Sequence, residues 1–528
     1  MFLKKTLAFI DKNLLLGLSL FLLVFIPLYP KWPLFEVLPG YIVRVRLEDF
    51  LILAALIIWF IYLLRGKIDL KKNPLLLPIA AYLVVGLLST LSAIFITRTI
   101  HPEFIQIAKL YLHFLRRIEY FSLFFIFFSA VRHKKQLKYF LILLPLAILG
   151  VTIYGYGQKY LYWPAYSTMN REFSKGIVLY LTEHARVLST FGGHYDLAAY
   201  IMLTLPLLLA VGFLVKKWWL RLSLFAVSLL EFWLLILTAS RTSFIAYLAA
   251  ITMMFSVLII KKGFKWGLPR WLALMGISLF IMVSFGDLSE RFAHIFKLQD
   301  FKSALLRPFS APPTHGIPLD ESLSLEEQLK IVATKTDVPP TPGKKQKPAD
   351  VYVDPYILTE AAELAEKEAT PAAIHVDYSD TALKYGLSAG IRFDALWPRA
   401  WVGFKKNPLL GSGYSTLVKT SVWEFTQAES TDNDYLRLLG ETGLLGFLAF
   451  LSIFFVIAKY LWLAFQKTKE PFFIAFFAAG IGITFGLLVN ALYIDVFESS
   501  KVAYTYWSLM GIMLAAALFV VQKEKAKI

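Results

Sequence analysis

The chain has 528 residues, of which 58% are hydrophobic and 16% aromatic, with a mean hydropathy of +0.61 and a net charge of +17. That is too apolar for a soluble domain, and apolar stretches of spanning length recur almost from end to end, so the sequence specifies an all-α polytopic membrane protein. Cysteine is absent, which excludes disulfides, thiolate metal sites and a cysteine nucleophile.

In chain order, windows of about 19 residues predict about twelve spanning helices. They centre near residues 20, 56, 85, 121, 148, 204, 230, 251, 279, 450, 483 and 512. The first, Phe9 to Tyr29, lacks a short apolar core followed by a small-residue cleavage site and is expected to be a retained span, not a signal peptide. Every second connection is basic. Lys4, Lys5 and Lys12 precede the first span, Arg65 to Lys72 follow the second and Arg132 to Lys138 the fourth; the pattern runs on through Lys216, Lys261 and Lys467 to Lys527. The positive-inside rule places those faces and both termini in the cytoplasm, and this topology accounts for most of the charge without nucleic acid.

The opposite, external face holds the longer connections, from about Gln158 to His194 and from about Asp287 to Asp434. The chain thus divides into helices 1–9 (residues 1–286), one large external loop between helices 9 and 10 (residues 287–434) and helices 10–12 (residues 435–528). Within the loop, about 310–385 is rich in proline and mixed charge, which predicts a mobile, solvated insertion, with a short polar helix at LTEAAELAEKEA. No internal repeat divides the chain into matched halves.

Ionisable groups at membrane depth cost several kcal/mol unless paired or facing a wet cavity, so each is a functional candidate. On the external side these are Arg186 beside His194, Arg241 between two closely joined spans, Arg392, and the stretch STDNDYLRLLGETGLLGFLAF from Ser430 to Phe450. Arginine offers a fork of donors that matches phosphate oxygens, so several converging at one membrane surface suggest a bound phosphate or pyrophosphate, as carried by lipid-linked sugars. Structural alternatives stand beside each. Arg241 can snorkel to the interface, Arg392 can pair with Asp394, His194 can be an interface residue, and Arg116, Arg117 and Glu119 can neutralise one another. On a helix Asp434, Arg437 and Glu441 share a face, so Arg437 can neutralise both acids. Asp432 just before them is either an N-cap or a general base towards an incoming hydroxyl. Gly440, Gly443 and Gly446 are expected to be close-packing positions.

At these residues the sequence resembles the O-antigen ligase and O-antigen polymerase superfamily. The motifs are an Arg-x-x-x-Thr-Phe-Gly segment leading to Pro206 (from Arg186), a Thr-x-Ser-Arg turn (Thr238 to Arg241), Arg392 through the Asn407-Pro408-Leu409-Leu410-Gly411-Ser412-Gly413 run, and the block from Asn433 to Gly446. Arg392 to Gly403 also has the Arg-x10-Gly spacing associated with the polymerases. The resemblance implies a C-type glycosyltransferase-like fold acting on an undecaprenyl-pyrophosphate-linked glycan donor and a glycan or lipid acceptor, with no metal or other cofactor. It implies that Arg241 and Arg392 hold the pyrophosphate, and that Asp432, where the ligases carry a histidine, is the base. Arg186, His194, Asn433, Asp434, Arg116 and Arg117 complete the expected substrate site. It also implies the bacterial cytoplasmic membrane as location.

Two rival readings remain at this stage. A lipid-linked glycan flippase or transporter explains intramembrane arginines equally well, and a metal-dependent transferase would use Asp432, Asp434 and Glu441 as oxygen ligands.

Overall fold

The structure, a computed structural model, describes residues 2–39, 41, 43–169, 173–182, 185–284, 351–353, 390–417 and 430–525. The expected polar helix at LTEAAELAEKEA and most of the insertion lie outside the described residues. The described part of the insertion is strand β4 (Val351–Val353), which pairs antiparallel with β3 (Leu179–Leu181) of the long connection before the sixth span. A second small hairpin, β1 (Phe35–Glu36) with β2 (Arg44–Val45), follows the first span.

The protein is an all-α bundle. Among the described residues every expected span position carries a helix: α1 (Phe2–Leu28), α2 (Leu47–Leu64), α3 (Leu76–Phe95), α4 (Phe104–Ala130), α5 (Leu137–Tyr160), α6 (His194–Leu214), α7 (Trp218–Leu237), α8 (Arg241–Lys262), α9 (Phe264–Ser284), then α11 (Asp434–Lys467), α12 (Pro471–Asn490) and α13 (Ser500–Lys525). The short α10 (Trp397–Lys406) precedes α11. Ten helices among the described residues are long and apolar enough to cross a membrane, against the twelve expected, α4 and α9 being the two outside that set. α4 is 27 residues long and carries Lys109, Arg116, Arg117 and Glu119, so its charge, not its length, separates it from the others.

The helices divide by what surrounds them. In α6 and α13 83% of the spanning residues are buried and in α12 72%, against 28% in α2. A helix that is apolar all round belongs inside the bundle, whereas α2 turns Leu53, Ile57 and Phe60 outward. Close approach of α12 to α8 depends on Gly482 and Gly486, a Gly-x-x-x-Gly spacing. A Cβ at Gly482 would stand 2.6 Å from the Ala250 carbonyl oxygen, and one at Gly486 would stand 2.6 Å from the Ala250 Cβ. At the far end of this contact Asn490 Nδ2 donates to Ser243 Oγ at 3.2 Å, two residues beyond Arg241.

Candidate functional site

The charged stretch at the start of α11 does not form one continuous helix. Gly443 has φ 66° and ψ −168°, and splits the element into a short first half and a long second half. A break at membrane depth frees backbone groups that lipid cannot satisfy. Here the Asn-Pro-Leu-Leu-Gly-Ser-Gly run supplies their partners: Leu444 N donates to Pro408 O at 2.9 Å and Leu445 N to Leu409 O at 3.2 Å, while Gly440 O accepts from Ser412 N at 2.8 Å and Glu441 O from Gly413 N at 3.0 Å. The two backbones lie so close that a Cβ at Gly411 would sit 2.4 Å from the Glu441 carbonyl carbon, and one at Gly443 would sit 2.4 Å from that of Leu409. Two motifs of the resemblance are therefore two halves of one structural joint. The close packing expected of Gly440 and Gly443 is present, but against the 407–417 segment and α10 instead of between long helices.

The acids and arginines of this stretch are sorted by residues that the sequence reading passed over, those of the connection between α12 and α13. Asp495 accepts from Thr431 N at 2.9 Å and Asn433 N at 2.8 Å, and lies 3.0 Å from Arg437 Nη1. Arg437 faces Glu441 at 3.4 Å and Glu498 at 3.8 Å. It thus meets Glu441 as expected, while the Asp434 carboxylate instead accepts from Phe497 N at 3.2 Å. The helix cap is Asn433, whose side chain accepts from Leu436 N at 2.9 Å, and not Asp432. Arg117 pairs with Glu498, lies 3.7 Å from Glu441 and stacks over the Tyr414 ring at 4.8 Å. Arg116 holds Asp49 at 2.9 Å, Glu119 at 2.8 Å and Tyr504 Oη at 2.9 Å. The expected local pairing of Arg116 with Glu119 is present, while Arg117 reaches acids from two other segments.

Asp432, released from capping, stands in a different setting. Its backbone is in the left-handed region at φ 50°, which directs the side chain away from the helix and towards Arg392. Arg392 Nη2 lies 2.9 Å from Asp432 Oδ2, and the guanidinium covers the Tyr493 ring at 4.5 Å. The expected partner Asp394 is replaced by Asp432 because residues 391–396 form a π-helical turn leading into α10, which wraps Arg392 inward while Asp394 lines a cavity with Arg399 and Lys406. Ser430 Oγ stands 2.8 Å from the other Asp432 oxygen. Burial raises the Asp432 carboxyl above its ordinary value, opposed by Arg392 and the Ser430 hydroxyl, and the nearby Asp495 adds to the rise. Arg392 is buried while 33% of the Asp432 side chain remains exposed.

The remaining candidates surround this pair without all converging on it. Arg241 opens α8, half-buried and with no ion-pair or hydrogen-bond partner among the described residues. The Ser243–Asn490 contact places its helix end three residues from Tyr493. Arg186 Nη1 lies 2.8 Å from His194 Nε2, so these two expected residues are brought together. The acids of the metal-dependent reading are dispersed, with Asp432 on Arg392, Glu441 accepting from Ser415 N at 2.9 Å, and Asp434 on the Phe497 amide. A cavity of about 540 Å³ lies elsewhere, between α2 and α4, and is lined by Arg46, Arg116, Arg117 and Glu498 but not by Arg241, Arg392 or Asp432. The missed hub, Tyr493, Asp495 and Glu498, had one visible signal: two acids in a short connection between apolar spans.

Residues 365–451 match the family model described as O-antigen ligase. This segment is similar to an O-antigen ligase domain. This segment contains Arg392, the Asn407 to Gly413 run, Asp432 and the broken first half of α11, so the joint and the Arg392–Asp432 pair both belong to it. The O-antigen ligase resemblance expected from the sequence holds over this segment of a multi-pass membrane protein. No curated protein matches the chain.

Proposed function

We propose that the protein transfers or polymerises glycan from an undecaprenyl-pyrophosphate-linked donor onto an acceptor hydroxyl, without a metal, at the external face of the bacterial cytoplasmic membrane. The observation that carries this reading is the Arg392–Asp432 pair at 2.9 Å, inside the segment similar to an O-antigen ligase domain and open on the carboxylate side. The donor pyrophosphate competes for the Arg392 fork and draws it from Asp432, leaving a carboxylate whose basicity burial has raised. Asp432 takes the proton of the acceptor hydroxyl as its oxygen bonds to the anomeric carbon. The bond from that carbon to the pyrophosphate oxygen breaks, and the electron pair leaves on the phosphate, where Arg392 and Arg241 stabilise the charge.

Arg241 supports this reading as a half-buried cation without a partner among the described residues, at the same end of the bundle as Tyr493 and Arg392. With Arg392→Ala, transfer is expected to fall on the order of 10²- to 10³-fold, the loss typical of removing one charge-stabilising donor, while the protein stays folded. Transfer at the wild-type rate in this variant would remove Arg392 from the phosphate site.

A further inference from the structure

The cavity between α2 and α4 has two unlike ends. Arg44, Arg46 and Arg116 line one, and Ile52, Leu53, Leu56 and Leu115 line the other. Leu53 is 52% exposed and Leu115 53% exposed, and both stand on the outer surface of their helices, α2 and α4, so the apolar end opens sideways towards lipid. The cations at the polar end are nearly all neutralised. Lys31 pairs with Glu48 at 2.7 Å, Arg44 with Glu36 at 3.4 Å, Arg116 with Asp49 and Glu119, and Arg117 with Glu498. Arg46 is the exception. It is only 7% exposed, its Nε has no hydrogen-bond partner, and it has no ion pair among the described residues. Asp49 and Asp196, which line the same cavity, act on it at longer range, but a buried guanidinium with no direct ion pair among the described residues is unfavourable, and one facing a cavity of about 540 Å³ offers its donors to an anion from outside the chain.

We propose that this cavity binds an anionic lipid, its phosphate head on Arg46 and the first carbons of its tail between Leu53 and Leu115. The volume is within the range of a small-molecule site, enough for a head group and the beginning of a chain, with the rest of the tail in the bilayer. Entry from the side follows from the half-exposed leucines, and selection for an anion from the one lining arginine without a direct ion pair among the described residues. The site is separate from Arg241, Arg392 and Asp432, none of which lines it. It stands whether the protein is a transferase or carries lipid without transferring glycan.

The test is native mass spectrometry of the full chain in detergent with dioleoyl phosphatidate, against dioleoyl phosphatidylcholine and inorganic phosphate. Wild type is expected to retain phosphatidate in preference to phosphatidylcholine. Arg46→Gln should weaken retention at least tenfold, and Arg46→Lys, which keeps the charge, should preserve most of it. Leu53→Trp narrows the mouth while leaving Arg46 in place, so it should also weaken retention, and it decides the matter if Arg46→Gln fails to fold. Equal retention in wild type, Arg46→Gln and Leu53→Trp would overturn the proposal. Displacement of phosphatidate by an equal concentration of inorganic phosphate would overturn it as well, marking a site for a free anion.

Discussion

Two groups of charges lie within a few residues of each other at one end of the bundle, and they differ in how completely they are paired. Around Arg437, the acids Glu441, Asp495 and Glu498 come from two segments of chain, α11 and the α12–α13 connection, and share two buried arginines, Arg437 and Arg117. Arg392 pairs with an Asp432 that is half open, and Arg241 nearby has no partner among the described residues. The first group is closed upon itself and holds the broken α11 against the α12–α13 connection. The second leaves the Asp432 carboxylate 33% exposed and Arg241 without a partner among the described residues, as the proposed meeting with a substrate requires. Under the proposed function, openness of the carboxylate and degree of pairing, not the presence of charge in an apolar segment, separate structural from chemical residues.

The comparison is broken most severely at the closed group. Arg437→Ala leaves Asp495 buried without its cation and Glu441 with only the more distant Arg117, a loss on the order of 3–5 kcal/mol, and is expected to yield little folded protein. A variant that melts like wild type in a thermal scan would show that the network carries no stability. Arg241→Ala acts in the opposite sense, with an unchanged melting temperature and transfer reduced on the order of 10²-fold or more. A variant that is unstable but active per folded molecule would assign Arg241 to the fold.

A smaller effect sharpens the assignment of Asp432. A base must be ionised to accept a proton, so transfer should fall as pH is lowered through its pKa. Because burial raises that value, the acid limb should lie above the ordinary carboxylate range of about 4. Loss of this limb in Asp432→Asn, with residual transfer flat across the same window, would support the role, whereas an unchanged limb would assign it to another group. The smallest effect is expected from deleting Pro312 to Ala349, a segment of proline and mixed charge. Transfer and melting should stay close to wild type, and a folded but inactive deletion would give the insertion a part in the site.

The spans were legible because apolar runs of this length have few alternatives in a polypeptide, and all twelve expected positions carry helices among the described residues. Arg392 and Asp432 were legible as single candidates, since charge in such surroundings is conspicuous. Their partnership was not. It depends on a π-turn at 391–396 and a positive φ at Asp432, neither of which leaves a periodic trace. The pairing of Arg437 with Asp495 joins residues 58 positions apart, beyond any helical spacing rule. Gly443 looked like a packing glycine, and its role as a helix break emerges only when the 408–413 backbone is seen filling the gap.

The central claim is that Asp432 and Arg392 form the reacting centre of a glycan transferase. It is tested most directly by incubating purified protein in detergent with undecaprenyl-pyrophosphate-linked oligosaccharide, wild type beside Asp432→Asn, and following glycan length and release of the lipid pyrophosphate. The account predicts longer or transferred glycan and released lipid with wild type, and neither at a comparable rate with Asp432→Asn. Bound lipid with no release in either protein would contradict it and favour a carrier of lipid-linked glycan.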